Sequence, residues 1–465
     1  MPAIPSHLDP DPAPLRVPFP TRQQLALHHE LHARPPVAAR PPCVVSYWAQ
    51  EGMLAEQAEA ALARLCLANG QDAPPSGARH FLLQAPRFAL KYERHGEFVS
   101  WQMNQPLASP PPDGDNDALG ALLEHASALS ALPDAFVSAL SGNGAGQMLA
   151  AAHVLMLDGR ADDSLPNRCR ALMADRPEAA KGSNEGTLMG AWVGDGHRSV
   201  MFTQLRLGLD GFTRYLLLDL GMSPGHAARQ AQRLCEIEAY RMLAMLGFPV
   251  AQKEAGLLAN LERQLQTTVD AMANDQSHDD IAAFEALTKL AAEVEHCTAR
   301  TRYRFSATRA YHRLVERRLT DLREQRLPGV QTLGGFLARR FTPAMAFCES
   351  TDARLTDIAE RINRATGLAR VRIEVRREEG NQTLLQALAT RQHQQLLLQQ
   401  TVEGLSVVAI SYYALGLVGY LAKAAKGLPM LASWSMSPDL VVGLAVLPVV
   451  LAVTLFVRNL RLRLH

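Results

Sequence analysis

The chain has 465 residues, 48 % hydrophobic and 20 % charged, enough for more than one sizeable core; a disordered chain and a many-span transporter are both excluded. With 47 Lys+Arg against 46 Asp+Glu the formal net charge is +1, so no overall field draws in nucleic acid, and no nucleic-acid partner is expected.

Residues 1–42 are Pro-rich and hold no apolar run of signal-peptide length, so no secretory signal is expected. A short helix ended by Pro35 carries the densest histidine cluster, His28, His29, Glu30, His32 and Arg34. His28 and His32 are four apart and could share a metal, but a zinc-protease helix needs Glu at the second place, where His29 stands. The cluster reads as a structural tie, with a metal or anion site as the sharper alternative.

Residues 43–222 read as an α+β domain with a largely antiparallel sheet. Strands are expected at Cys43–Trp48, Phe81–Gln84, Phe88–Tyr92, Phe98–Met103, Leu188–Val193, Ser199–Leu207 and Phe212–Leu218, with turns at His95-Gly96, Asp195-Gly196 and Asp210-Gly211. Helices are expected at Gly52–Ala68, Asp117–Ala131 and Gly146–Leu157. Asp113, Asp115, Asp117 and Glu124 fit four places of a calcium loop, but Ala118 stands where the sharp turn needs Gly, so they read as a linker that caps the next helix. Gly142, Gly144 and Gly146 lack the Gly-Lys-Ser/Thr of a phosphate-binding loop and read as a flexible loop. The six cysteines are scattered without a C-x-x-C pair, as reduced thiols would be.

Residues 223–380 form a helical domain. Ser223-Pro224 starts one helix and Gly247-Phe248-Pro249 stops it, since Pro suits the first turn and not the interior. A long helical arm follows from His278 to Arg326, with Ser277 and Asp280 as a helix-start pair, and Val371–Val375 reads as a short strand. The arginines from 300 to 326 alternate with Glu316, Asp321 and Glu324 and read as a solvated face.

Residues 381–403 are expected to form a stalk helix with a mostly apolar heptad seam through Leu384, Leu388, Arg391, Gln395, Leu398 and Val402, continuing to Leu405. Two charge-free runs, 404–422 and 440–457, are each close to the ~20 residues needed to cross a bilayer. They predict a transmembrane hairpin, followed by a basic tail, 458–465, with Arg458, Arg461 and Arg463. The arginines beside the large domain and in the tail outweigh Lys423 and Lys426 in the connector, which favours both termini in the cytoplasm. Ser406, Tyr413, Gly416 and Tyr420 share one stripe of the first span and are candidates for helix packing or a pore lining. No Ser/His/Asp or Cys/His arrangement can be assembled, so neither an enzyme nor a cofactor is expected.

The stretches Glu30-Leu31-His32-Ala33-Arg34-Pro35, Arg304-Phe305-Ser306-Ala307-Thr308-Arg309-Ala310-Tyr311 and Gln400-Thr401-Val402-Glu403-Gly404-Leu405-Ser406 resemble those of a bacterial family of membrane-anchored proteins of unassigned function, domain of unknown function 3422. The resemblance spans nearly the whole chain; it implies membrane anchoring and transfers no catalytic residue. The order of parts is similar, more loosely, to CorA-type magnesium channels, but Gly419-Tyr420-Leu421-Ala422-Lys423 stands where those channels carry Gly-Met-Asn. The reading is an integral membrane protein that presents a cytoplasmic binding or scaffolding domain, self-associates through stalk and spans, and has the lipid bilayer as partner. A CorA-like oligomeric channel for a divalent cation is the alternative.

Overall fold

The computed structural model describes residues 23–24, 27, 36–107, 115–141, 145–160, 164–174, 188–274, 279–426 and 436–464. It falls into two compact units, one of residues 1–273 and 287–363, the other of residues 274–286 and 364–465.

The first unit is built on nine strands: β1 (Cys43–Glu51), β2 (His80–Gln84), β3 (Ala89–Arg94), β4 (Phe98–Pro106), β5 (Gln147–Asp158), β6 (Met189–Trp192), β7 (Ser199–Leu207), β8 (Thr213–Asp219) and β9 (Gln325–Arg326). They form one sheet in the order β2-β3-β4-β1-β5-β8-β7-β6-β9. All its pairings are antiparallel except that of β5 with β8. The order repeats itself: β1-β4-β3-β2 leads away from the centre on one side and β5-β8-β7-β6 on the other. The two halves differ in the sense of the first strand, antiparallel to its neighbour in the first half and parallel in the second.

One face of the sheet packs under short helices: α1 (Ala55–Ala68), α2 (Asn116–His125), α3 (Asp134–Ser141) and α4 (Leu165–Ala174). Ala58, Ala61, Leu62, Leu65 and Cys66 recur at helical spacing on α1 and meet Trp48, Tyr92, Trp101 and Phe136 in one core. A second core joins Leu119 and Cys169 to Leu155, Phe202, Leu216 and Leu218. Trp101 is fully buried, tilted on Tyr92 at 5.0 Å and edge-on to Phe136 at 5.6 Å, and its indole N–H donates to Gln50 Oε1 at 3.1 Å. Asp115 caps α2 by accepting from Ala118 N at 2.9 Å, the capping role read from the sequence.

The opposite face packs under α5 (Pro224–Met245), which touches β1, β5 and β8 and is followed by α6 (Gly247–Asn274) and α7 (Asp280–Leu322). Pro224 occupies the first turn of α5, and a Cβ on Gly247 would lie 2.2 Å from Thr308 Oγ1, so only glycine lets α7 approach there. The motif from Arg304 to Tyr311 forms this seam. Arg304 reaches Glu97 at 3.4 Å and Glu51 at 3.7 Å, Thr308 donates to Ala244 O, Arg309 pairs with Asp352, and Tyr311 stacks on Tyr240 and meets Phe98 edge-on. Arg304 is therefore engaged in packing the bundle on the sheet, and Arg309 in joining α7 to the helix that carries Asp352.

The second unit contains the rest of α8 (Leu333–Lys426) and then α9 (Pro438–Leu464). Arg376 lies 2.9 Å from the buried carboxylate of Asp280. Gly419 allows α9 to come close, since a Cβ there would sit 3.2 Å from Val442.

Several expectations are corrected. The stretch expected as the helix Gly146–Leu157 is β5, at the centre of the sheet. The expected strand Val371–Val375 lies inside α8, and the stalk does not start at Gly380-Asn381 because that helix is already running from Leu333. The helix expected over Asp117–Ala131 stops at His125, and a 3₁₀ turn over Ala128–Ala131 follows. The start of α7 is capped by Asp279, whose Oδ1 accepts from Ile281 N and Ala282 N. Ser277 lies outside the described residues.

Candidate functional sites: the apolar hairpin and the buried polar centres

A helix in the core of a soluble domain buries most of its apolar side chains. The two apolar segments here do not: the most hydrophobic window in α8 has a mean hydropathy of 1.7 and is 6 % buried, and that of α9 has 2.9 and is 0 % buried. Over Pro438–Asn459 the second helix has 22 residues, about 33 Å at ~1.5 Å per residue, the thickness of a hydrocarbon core. Both helices are long and apolar enough to cross a membrane.

Of the stripe read from the sequence, Tyr413, Gly416 and Tyr420 are exposed and Ser406 is half-exposed, its hydroxyl donating to Val402 O at 2.8 Å. Gly419 faces α9, and Ser411 is buried. Within the chain the stripe therefore points away from the partner helix. The cluster His28, His29, Glu30, His32 and Arg34 lies outside the described residues, as do Asp113, Gly142 and Gly144. Among the described residues no three His, Cys, Asp or Glu side chains are grouped so as to hold a metal ion.

The first unit holds three buried polar centres that sequence reasoning missed. At the first, Ser46 Oγ accepts from Ala128 N at 2.9 Å and lies 2.8 Å from His153 Nδ1, while His153 Nε2 lies 3.4 Å from Asp210 Oδ2. Phe212 stacks on the imidazole at 4.1 Å, and Arg214 clamps Asp210 at 2.6 Å. Burial lowers the His153 pKa, with the hydrogen bond to Asp210 opposing. Serine, histidine and aspartate stand in catalytic order, but Ser46 is fully buried and its hydroxyl is already engaged by Ala128 and His153. No carbonyl can reach it from solvent, so the geometry ties β1 to β5 and to the turn before β8.

At the second centre the buried carboxylate of Glu238 on α5 accepts from Thr213 Oγ1 at 3.1 Å, Tyr215 Oη at 2.9 Å and Arg241 at 2.5 Å. At the third, Glu254 on α6 accepts from Arg300 at 2.7 Å and from Cys297 Sγ at 3.0 Å, both on α7. Each carboxylate is saturated by protein donors, which marks it as structural. The six cysteines are free and buried, and burial pushes Cys43 and Cys297 up to about 12 and Cys348 to about 11.

None of the curated proteins and none of the solved structures matches the chain, so the likeness to CorA-type channels finds no support among them. The family described as "Protein of unknown function (DUF3422)" matches residues 18–464. That match takes in the sheet, the helical bundle and both apolar helices, and the chain belongs to this family.

Proposed function

We propose that the chain is an integral protein of the bacterial inner membrane, held by the hairpin of α8 and α9, with its first unit and its C-terminal tail in the cytoplasm, where the unit serves as a binding or scaffolding module. The observation that carries this reading is the lack of cover over both apolar segments. Lipid is the solvent that removes such a surface from water without a protein partner. In lysed cells the full-length chain is expected in the membrane pellet, released by detergent and not by alkaline carbonate. In intact spheroplasts the exposed Ser437, changed to Cys, is expected to react with an impermeant maleimide. Recovery of folded chain in the supernatant without detergent sinks the anchor; labelling only after lysis inverts the topology.

The same reading has the chain self-associate through the stalk. Leu384, Leu388, Leu398, Val402 and Leu405 are 50–72 % exposed. Between Asn381 and Val402 the only formal charge is Arg391, a seam position that would meet its copy in a parallel pair, so the apolar positions on either side carry the association, and a shared bilayer holds two stalks parallel and in register. Since all six native cysteines are buried, an added surface thiol reports cleanly. Leu398→Cys is expected to give a disulfide-linked species of twice the chain mass on mild oxidation, while Gln400→Cys, on the opposite face, is not. Equal, negligible crosslinking at both positions counts against self-association here.

A further inference from the structure

The first unit carries a cleft of about 560 Å³ between the β6–β7 loop, the first turns of α5 and the end of α7. Its size falls in the range of small-molecule sites, but its walls are polar where such sites are mostly apolar. Four arginines line it, Arg198, Arg229, Arg233 and Arg323, against two carboxylates, Asp195 and Asp321.

The carboxylates are already used. Asp195 is gripped by Arg323, with Nη1 at 2.5 Å from Oδ1, and Asp321 by Arg318 at 3.1 Å. That leaves Arg198 and Arg229 with no acidic partner among the described residues, and Arg233 with the side-chain oxygen of Gln230 at 3.2 Å. Burial lowers the pKa of Arg233, and Arg318 and Arg229 lower it further, while Asp321 and Glu236 offset part of the shift. Like charges gathered in a concave, partly dehydrated space cost folding energy unless an anion joins them.

The backbone contributes in the same sense. Arg229 and Arg233 are one turn apart on α5 and line the cleft together with His226 in its first turn, at the positive end of a 22-residue helix. Opposite them the loop turns through Gly194 and Gly196, both at positive φ. Gly194 lies close against Gln230 of α5 and adopts φ +79°, a left-handed backbone that favours glycine.

We infer that this cleft binds a phosphate-bearing small molecule with two or more negative charges, held by Arg198, Arg229 and Arg233. Three guanidinium groups on two elements offer more donors than one carboxylate accepts, whereas a phosphoryl group presents three terminal oxygens and takes bidentate arginine contacts. The phosphate could belong to a soluble metabolite or to a lipid headgroup, and the chemistry of recognition is the same.

The test uses the full-length chain in neutral-lipid nanodiscs, titrated calorimetrically with inorganic pyrophosphate, with citrate as the carboxylate comparison. Pyrophosphate is expected to bind, more weakly at high salt, and more tightly than citrate. The double variant Arg198→Gln, Arg229→Gln alters two exposed side chains and is expected to weaken binding at least tenfold with a ligand-free melting midpoint no lower than the parent's. The exposed Arg302→Gln, outside the cleft, is expected to behave as the parent. In nanodiscs containing phosphatidylglycerol, weaker pyrophosphate binding by the parent identifies the headgroup as the source; unchanged binding identifies a soluble ligand. No binding by the parent, citrate bound as tightly as pyrophosphate, or equal binding by the double variant overturns the assignment.

Discussion

Replacing Glu238 with Ala is expected to lower the unfolding free energy by about 3–5 kcal/mol, the cost typical of removing one partner from a buried ion pair. The carboxylate is 1 % exposed and gathers Thr213 and Tyr215 from β8 and Arg241 from its own helix. Without it the Arg241 guanidinium faces two buried hydroxyls in place of a counter-charge, and the hydroxyls lose their acceptor. Glu238→Gln keeps the shape and one acceptor oxygen and is expected to cost less, about 1–3 kcal/mol. Thermal unfolding of the full chain in detergent, followed by tryptophan fluorescence, reads both variants, because Trp48 and Trp101 lie in the core of this sheet. An alanine variant that melts with the parent would show that the centre adds nothing to the packing of α5 on β8.

The second large effect is expected at Gly146. It sits at φ +75°, and a Cβ there would fall 2.3 Å from Glu51 O and 2.6 Å from Met53 N, both backbone atoms that cannot swing aside. Gly146→Ala therefore combines a left-handed backbone, disfavoured by about 1–2 kcal/mol, with overpacking worth about 1–3 kcal/mol. The strain falls where β5 enters the sheet beside β1, next to a register shift between Ala49 and Gln50. Gln50 also donates to Leu140 O and Ala145 O, which fastens the chain immediately before the glycine. A melting midpoint well below that of the parent is expected in the same assay, with membrane association retained. A parent-like midpoint would mean that the β1–β5 crossing relaxes without penalty.

These two sites mark where sequence reading succeeds and where it stops. Glu238 lies on a helix whose start was legible from Ser223-Pro224, but nothing local says that its carboxylate is buried against Thr213 and Tyr215. Gly146 was legible as a glycine in a loop, but not as a contact point, because the next stretch was assigned to the wrong element. Gln147–Asp158 is a nearly unbroken apolar run rich in alanine, and a strand buried on both faces has no alternation to separate it from a buried helix. With β5 misassigned, Ser46 could not be set opposite His153, and the pairing of β1 with β5 that joins them stayed invisible.

What the sequence determined by itself is local or solvent-driven. Seven strands follow from β-branched and aromatic runs broken by Asp-Gly and His-Gly turns, and the cap at Asp115 follows from its place before a helix. Both apolar segments follow from uninterrupted runs without charge. The tertiary structure alone decided what depends on residues far apart in the chain. It placed β5 at the centre, ran α8 unbroken from Leu333 through a segment with strand propensity, and enclosed Ser46 and His153 away from solvent. It also drew Arg198, Arg229 and Arg233 onto one cleft from a loop and a helix. Propensity and periodicity act over a few residues and are written in order along the chain, whereas the burial of a charge is set by which surfaces meet, and those meetings are long-range.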